Sequence, residues 1–338
     1  MPETAVVILN WNGKEFLKKF LGNVAGNSAG TNRTIYVADN GSEDGSCEWI
    51  EENRSDVRII RLDKNYGFAG GYNLALEQID AKYFVLLNSD IEVTPGWLDP
   101  LIGYLENNPD TASCQPKILS YTQRDHFEYA GAAGGFIDRY GYPFCRGRVL
   151  SSVEKDEGQY DSVADIFWSS GACMAVRADA WRKSTGFDPD FFAHMEEIDL
   201  CWRFHRMGYR IAFIPQSVVY HVGGGALPYN SPFKTYLNFR NSIYMLYKNL
   251  PEKNFQRKIF FRKILDGIAA IFFLVKGEIK SMKAVWEAHR DARRARQNLM
   301  EKRKHVMTLG SMEPEDLILN KSIVYGFYLR GRRTFTSM

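Results

Sequence analysis

Acidic side chains at two places in this 338-residue sequence are candidates for chemistry, and the first of them is Asp90. It follows residues 83–88, a mostly apolar run that predicts a buried strand. Open α/β sheets bind ligands beyond the carboxyl ends of their strands, where a carboxylate suits a divalent cation that holds a diphosphate. The plain alternative is that Asp90 only caps the next turn. Asp90 is therefore a candidate metal ligand, and the rest of the chain must decide between the two roles.

The second place is a cluster of three carboxylates, Glu196, Glu197 and Asp199, at the start of a predicted helix. The helix dipole favours acidic residues in a first turn, so capping is one role they could have. Three carboxylates within four residues exceed what capping requires, and a carboxylate beside a reaction centre could act as a general base. Arg203 lies one turn further along and could neutralise Asp199 or face a phosphate.

His221 is a candidate second metal ligand. It ends an apolar segment that reads as a strand and precedes a run of glycines. A lone histidine is more often structural, but imidazole is a common metal ligand and this one could complete a metal site. The sequence leaves both roles open.

Residues that could bind a nucleotide follow other predicted strands. The indole of Trp11 could stack on a base, and Asp39 could accept a hydrogen bond from a base N–H. Asn65 and Asn73 flank a turn, NYGFAGG, whose small residues allow close approach of the backbone. The glycines do not form GxGxxG, so a dinucleotide fingerprint is absent. Each residue alone could be a turn former or core, but the set as a whole predicts a binding rim.

The elements that must position these residues alternate along the chain. Strands are predicted at 4–9, 33–38, 57–62, 83–88 and 112–119, with helical stretches between them. This alternation indicates βαβ units, and we expect an α/β fold with a mostly parallel sheet flanked by helices. Residues 121–165 show only weak periodicity, so that they could shape a substrate pocket or form an ordinary surface loop.

Composition and charge indicate the cellular compartment of the protein and its relation to a membrane. Five scattered cysteines without a CxxC or Cys/His spacing favour reduced thiols in the cytoplasm, and the amino terminus lacks the order of a signal peptide. Residues 1–250 carry a net charge of −7, whereas residues 251–305 carry +9. Within the basic part, residues 255–275 are amphipathic but too short and charged to span a bilayer. They predict a helix on an anionic membrane surface; packing on the catalytic part or a homo-oligomer contact is the alternative.

Six motifs in order make the chain, over residues 4–245, similar to the family 2 glycosyltransferases of the GT-A fold. The resemblance is greatest to bacterial rhamnosyltransferase-like members, which build surface polysaccharides. The motifs are VVILNWNG, VADNGSEDGS, NYGFAGGYN, LLNSDIE, SGACMAVR and GFDPDFFAHMEEIDLCWR. We therefore expect a GT-A catalytic domain at 1–245 and a basic amphipathic helical extension at 246–338.

The resemblance implies a role for each candidate residue. Asn88 to Asp90 match the DxD element, with Asn88 in place of the first aspartate, so Asp90 would bind Mg²⁺ or Mn²⁺ with the diphosphate and His221 would match a late histidine ligand. Glu196 and Glu197 fall on an acidic pair whose second member is the base, which points to Glu197 and keeps Glu196 as its competitor. The residues that would contact the donor are Trp11, Asp39, Asn65, Gly67, Asn73, Asn88, Asp90 and Arg203.

The function these features imply is a metal-dependent inverting transfer of a sugar from a nucleotide-sugar to a hydroxyl of a glycan acceptor. We expect the acceptor to be lipid-linked, and the enzyme to be cytoplasmic, on the inner face of the membrane, with no nucleic acid partner. The open alternatives are retention of configuration, a nucleotidyltransferase and a non-catalytic scaffold on a membrane surface. A nucleotidyltransferase would need basic residues in the first turn, 10–13, which has none.

Overall fold

A computed structural model of the chain describes residues 3–223 and 231–338, and a nine-stranded sheet lies at its centre. The strands of the described chain are β1 (Thr4–Asn10), β2 (Arg33–Asn40), β3 (Arg58–Leu62), β4 (Tyr83–Asn88), β5 (Ile91–Val93), β6 (Thr111–Ser120), β7 (Gly135–Asp138), β8 (Pro143–Cys145), β9 (Arg148–Val149), β10 (Ser152–Val153), β11 (Ala164–Asp165), β12 (Cys173–Arg177), β13 (Arg210–His221) and β14 (Ile318–Leu319). All five strands that the sequence predicts before residue 120 are present, within two residues at each end.

The large sheet is mixed towards the β11 end and parallel towards the β3 end. Its order is β11-β13-β6-β12-β4-β1-β2-β3, and β5 pairs with β13. Neighbours from β4 to β3 are parallel, whereas β12 runs antiparallel to both β4 and β6. Parallel neighbours end at the same edge, so the carboxyl ends of β1, β2 and β4 meet there. The predicted mixed α/β architecture is confirmed.

Helices cover both faces of this sheet. They are α1 (Lys14–Ser28), α2 (Ser46–Asn53), α3 (Gly67–Glu77), α4 (Leu98–Asn107), α5 (Ala178–Lys183), α6 (Glu196–Arg206), α7 (Pro232–Asn249), α8 (Phe255–Val275), α9 (Ile279–Arg294), α10 (Arg296–Thr308) and α11 (Ile323–Arg330). Val85 and Leu87 of β4 pack with α1 and α4, and Phe84 and Leu86 pack in the opposite layer with α3 and α6. Burial on both faces explains why β4 reads as a continuous apolar run.

The region 121–165, which shows weak periodicity, forms part of a second, five-stranded sheet. Its order is β10-β9-β8-β7-β14. Most of these strands are two or three residues long, too short for an alternating pattern to be readable. The last strand, β14, comes from the predicted helical extension and pairs in parallel with β7.

Helix α7 connects the catalytic part to the helices that follow, and it spans residue 245, where the domain boundary was predicted. Near its end Lys248 is buried, and its Nζ lies 2.7 Å from Asp188 Oδ2 and 2.8 Å from Asp199 Oδ2. Burial alone would raise the pKa of Asp188, but Lys248 and Lys302 outweigh burial and hold the pKa well below its usual value. The following helices are therefore tied to the loop that precedes α6.

Replacement of Lys248 by methionine is expected to lower the free energy of unfolding by about 3–5 kcal/mol, because it removes the cation from two buried carboxylates. Urea unfolding followed by circular dichroism would measure this loss. The matched control is Lys253→Met, since that lysine is exposed. A loss as small as that of the control would contradict the structural role given to Lys248.

None of the helices in the described parts of the chain is both long enough and apolar enough to cross a bilayer.

Candidate active site

The first part of the site lies where β1 and β2 end beside the start of α3. Asn10 Nδ2 donates to Asp39 Oδ1 at 3.0 Å, and the other carboxyl oxygen of Asp39 accepts the Ser42 backbone N–H. Asn40 Nδ2 donates to Asn65 Oδ1 at 3.1 Å and to the Gly67 carbonyl at 3.0 Å. These bonds hold the rim rigid, and both carboxyl oxygens of Asp39 already accept a bond from the protein.

Trp11 is the exposed aromatic side chain of this rim. It follows β1, and 47% of its surface is open to solvent. A tryptophan of the core would be mostly covered, so the interpretation of Trp11 as core is wrong. An uncovered indole beside a rim of backbone and amide groups can accept a flat ring as a stacking partner.

The glycine-rich turn forms the first turns of α3 rather than a loop, because α3 begins at Gly67. Gly67 has φ +72°, and a Cβ there would lie 2.4 Å from the ring of Phe192. A Cβ on Gly71 would meet Leu9 at 2.9 Å and Asn40 at 3.0 Å. The glycines therefore let α3 approach β1, β2 and the loop before α6 closely.

Asp90 and His221 are brought together at the end of β4. His221 Nε2 lies 3.1 Å from Asp90 Oδ1 and 3.4 Å from the amide nitrogen of Asn88. On its other side, His221 Nδ1 lies 3.0 Å from Glu128 Oε2. Asp90, Glu128 and His221 are all buried, so this is an acid–imidazole–acid arrangement largely shielded from water.

The charged forms of Asp90 and His221 stabilise each other. Burial would lower the pKa of His221, but the two carboxylates outweigh burial and raise the pKa to about 10. Burial would raise the pKa of Asp90, but His221 outweighs burial and lowers the pKa below its usual value. Asp90 is thus ionised at neutral pH, as a metal ligand must be, whereas His221 holds a proton there and must release it before Nε2 can bind a metal.

The residues fit a divalent cation. A carboxylate oxygen and an imidazole nitrogen converge, and Glu128 faces the far nitrogen of His221, where it would fix the ring orientation as carboxylates commonly do behind a metal-bound histidine. Among the described residues, no group of three or more His, Cys, Asp or Glu side chains could hold a metal ion alone. A cation here would therefore take further ligands from water and from a phosphate, as Mg²⁺ commonly does.

The second part of the site is the loop that leads into α6. Three of its non-glycine residues, Phe192, His194 and Met195, have φ between +64° and +73°, a conformation that costs of order 1 kcal/mol or more for each. Asn241 Nδ2 compensates from α7, because it donates to three carbonyl groups of this loop at 2.7–2.8 Å. The strained backbone and the hydrogen bonds from Asn241 together fix the direction in which α6 begins.

Glu196 and Glu197 begin α6, and their carboxyl groups are not neutralised. Oε2 of each is out of contact with solvent and accepts no hydrogen bond in the described part of the chain. Burial raises the pKa of Glu197 to about 7, despite backbone N–H groups that lower it. Burial and the neighbouring charge of Glu197 raise the pKa of Glu196 well above its usual value. The neutral form of Glu196 is thus favoured, and Glu197 can take up and release a proton near neutral pH.

Asp199, the third carboxylate, has a different role. Its oxygens are bound by Lys248, by Asn249 and by Arg203, all buried. Arg203 also donates to the carbonyls of Ser184 and Gly186, so it neutralises Asp199 and does not face a phosphate. This corrects the predicted contact between Arg203 and the donor.

Asn73 is likewise occupied by the protein. Its amide donates to the Phe187 carbonyl at 2.7 Å and accepts the Phe187 N–H at 3.0 Å. The side chain therefore joins α3 to the segment before α6, and its place in the donor pocket stays a prediction.

The segment before β12 joins the two parts of the site. The Ala172 carbonyl accepts the Asn88 N–H at 2.9 Å, and a Cβ on Gly171 would lie 3.8 Å from Glu197 Cβ. Glu128 and Glu197 both act on the buried thiol of Cys145, whose pKa is raised mainly by burial and further by these two carboxylates. The acid–imidazole–acid group and the unneutralised pair of glutamates thus border the same region.

Sequence reasoning does not find Glu128 or Asn241. Glu128 lies in the region of weak periodicity and Asn241 lies within α7, and neither is part of a motif. Both contact residues that are distant in the sequence, so no local spacing could have indicated them.

Residues 5–156 match the family described as "Glycosyl transferase family 2", a range that includes Asp90 and ends before Glu196. The chain is 27% identical over 236 residues to the N-acetylglucosaminyl-diphospho-decaprenol L-rhamnosyltransferase of Mycobacterium tuberculosis, which covers 64% of this chain and 75% of that protein. It is 25% identical over 217 residues to the rhamnosyltransferase WbbL of Escherichia coli K12, over 62% of this chain and 80% of that protein.

The fold is shared with the solved structure of GalNAc-T7 with UDP, GalNAc and Mn²⁺. The TM-score is 0.56 at 15% identity, over 73% of this chain and 48% of that one. At this identity the likeness shows the fold alone. With the family match over residues 5–156 and the two rhamnosyltransferases, it shows a chain of the GT-A fold that is similar to family 2 glycosyltransferases and to the rhamnosyltransferases among its relatives.

Proposed function

We propose that the chain transfers a sugar from a nucleotide-sugar to a hydroxyl group of a glycan, with inversion at the anomeric carbon and with Mg²⁺ or Mn²⁺ as its cofactor. One observation carries this proposal. The protonatable carboxyl group of Glu197 borders the same region as the Asp90–His221 pair, so a base and a diphosphate site adjoin each other. The GalNAc-T7 structure, with UDP and Mn²⁺ on the same fold, supports the cofactor.

The chemistry assigned to the chain's own residues is a single displacement. Glu197 accepts the proton of the acceptor hydroxyl as its oxygen bonds to the anomeric carbon, and the bond from that carbon to the diphosphate breaks on the opposite face. One base without a covalent intermediate gives inversion. Asp90 and His221 would hold the divalent cation, which when bound offsets the negative charge of the diphosphate.

The names of the relatives support a more specific substrate pair. Both are rhamnosyltransferases, and the name of the mycobacterial relative includes a decaprenol-linked sugar. We therefore propose a nucleotide-activated rhamnose as donor and a lipid-linked glycan as acceptor, in the synthesis of a bacterial surface polysaccharide. Such an acceptor would bring the enzyme to the inner face of the cell membrane.

Calorimetric titration of the full chain with UDP, GDP and dTDP, with and without Mn²⁺, tests the donor site. At least one nucleotide is expected to bind, and only with the cation. Trp11→Ala should weaken that nucleotide about 10–100-fold, because base–aromatic stacking contributes roughly 1–3 kcal/mol. The matched control is Trp286→Ala, an exposed tryptophan on α9. Equal weakening by both variants, or binding without metal, would contradict the proposed site.

A further inference from the structure

Helix α8 exposes its apolar side chains along one face. Phe260, Ile264, Ile268, Ile271 and Val275, here named the α8 stripe, recur at the spacing of helix turns and are 44–81% exposed. The alternative that this stripe packs on the catalytic part is therefore wrong for the described chain. Apolar residues of a helix normally face the core, as Phe255 and Ile259 of α8 do, so the outward position of the stripe needs a structural cause.

The opposite face of α8 is buried and carries two apolar residues, Phe255 and Ile259, followed by the charged pair Arg262 and Asp266. Arg262 Nε donates to Asp266 Oδ1 at 2.8 Å, and both residues are covered by the protein. Tyr142 and His289 bind the same carboxylate at 2.7 and 3.0 Å. These four groups fix the rotation of α8, so the stripe is held outward by specific contacts.

The exposed apolar surface continues onto α11. The ring of Tyr328 lies 6.0 Å from that of Phe272, and Tyr328 and Leu329 are both exposed. Lys276 Nζ lies 4.4 Å from the centroid of the Phe272 ring, and exposed Arg330 ends α11. Apolar, aromatic and basic side chains are thus mixed at this surface, the composition typical of helices at a membrane interface.

A cavity of about 300 Å³ is lined by residues of α7, α8, α9 and α10 and is rich in basic side chains. Here named the basic cavity, it is lined by Ile243, Tyr247, Lys263, His289, Ala292, Arg293 and Arg296. Among these described residues none is acidic, and three are lysine or arginine. Lys263 belongs to α8, so the same helix contributes to the basic cavity and carries the stripe.

We propose that the α8 stripe and the basic cavity together form a docking surface for an anionic phospholipid bilayer. The stripe is about 22 Å long at the helical rise, so it could lie in the interface with its apolar side chains among the acyl chains. The basic cavity would receive lipid phosphate groups. A phospholipid joins apolar acyl chains to an anionic phosphate, and this surface offers apolar and basic side chains to bind them.

The charge of the surface argues against a second copy of this chain as the partner. Residues 251–305 carry a net charge of +9, and a symmetric contact through the stripe would bring two such segments together. Like charges across an interface oppose association. An anionic bilayer has the complementary sign.

Sedimentation of the full chain with vesicles tests this proposal. The protein is expected to pellet with vesicles of phosphatidylcholine and phosphatidylglycerol, weakly with phosphatidylcholine alone, and less at high salt. Ile264→Ser/Ile268→Ser/Ile271→Ser should reduce partitioning on the order of 100-fold. Lys263→Gln/Arg293→Gln/Arg296→Gln should reduce it by roughly 100-fold through lost lipid attraction.

Matched variants control for the loss of apolar area and of charge. Val163→Ser removes an exposed apolar side chain elsewhere, and Lys18→Gln/Arg58→Gln/Lys183→Gln removes three surface charges from the catalytic part. Both should pellet as the unaltered chain does. Equal partitioning of all variants, or no pelleting of the unaltered chain, would overturn the proposal.

Two further outcomes would assign the stripe or the cavity to a different partner. A dimer in ultracentrifugation that the serine variant dissociates, without vesicle binding, would assign the stripe to a second copy. Binding of inorganic phosphate in the cavity without vesicle binding would reduce the cavity to a free-phosphate site. The inference is independent of the proposed reaction, because the surface variants leave Asp90 and Glu197 untouched and should retain metal-dependent nucleotide binding.

Discussion

Replacement of Glu197 by glutamine is expected to lower turnover by ~10²–10⁴-fold and to leave donor binding nearly unchanged. Glutamine keeps the size of the side chain but cannot accept the proton of the acceptor hydroxyl. In the unaltered enzyme, the rate should rise with pH as Glu197 ionises near its raised pKa of about 7. Steady-state kinetics across pH 5–9 would measure both effects.

Glu196→Gln is the matched control for this experiment. Because burial and the charge of Glu197 raise the pKa of Glu196 and so favour its neutral form, the substitution replaces it with a neutral side chain of similar shape. Its effect on turnover should be less than about tenfold, well below general-base catalysis. A larger loss for Glu196→Gln than for Glu197→Gln would exchange the roles of the pair.

The pH dependence of folding stability reports the ionisation of Glu197 without an activity measurement. Glutamate in the unfolded chain ionises near pH 4.5, whereas folded Glu197 ionises near 7, so the folded state alone keeps the proton between these values. The folded protein therefore loses stability as pH rises through this window. Glu197→Gln lacks this loss and should be more stable than the unaltered chain at pH 8 by up to about 3 kcal/mol.

Replacement of Asp90 by asparagine is the second change with a large expected effect. It should abolish metal-dependent binding of the nucleoside diphosphate, because the carboxylate is the one acidic ligand placed at the end of β4. The substitution keeps the shape of the side chain, and Glu128 still faces His221. Binding of Mn²⁺ followed by electron paramagnetic resonance, with and without nucleotide, would measure this directly.

Asp188→Asn provides a comparison for the loss of one buried carboxylate elsewhere. Asp188 binds Lys248 and Lys302, so its loss should lower stability without affecting Mn²⁺ binding. Asp90→Asn should abolish Mn²⁺ binding, which Asp188→Asn should retain. Unchanged affinity of Asp90→Asn for nucleotide with Mn²⁺ would remove Asp90 from the metal site.

The long elements of the fold could be predicted from the sequence because their patterns are local. The run 83–88 matches β4 at both ends, since burial on both faces makes the whole strand apolar. The second sheet could not be predicted, because its strands are stabilised by pairing with distant segments, as β14 is with β7. Short strands carry too few residues for a pattern.

The sequence could name candidate site residues but not the contacts that each of them makes. The resemblance implies that Asp90 and His221 share a metal, and the structure places them 3.1 Å apart; metal binding itself stays a prediction. From the sequence, Arg203 could bind either a phosphate or Asp199. The structure decides for Asp199, because the carbonyls of Ser184 and Gly186 hold the guanidinium there. For α8, periodicity indicated an apolar stripe, but the buried side was decided by the contacts of Arg262 and Asp266.

The most direct test of the proposed function is transfer by the purified chain from a nucleotide-activated rhamnose to a polyprenol-diphosphate-linked sugar. The lipid-linked product would be detected by mass spectrometry and its anomeric configuration determined by NMR. We predict a product with inverted configuration that requires Mg²⁺ or Mn²⁺ and is nearly absent with Glu197→Gln. Full product formation by Glu197→Gln, or retained configuration in the product, would contradict the proposed mechanism.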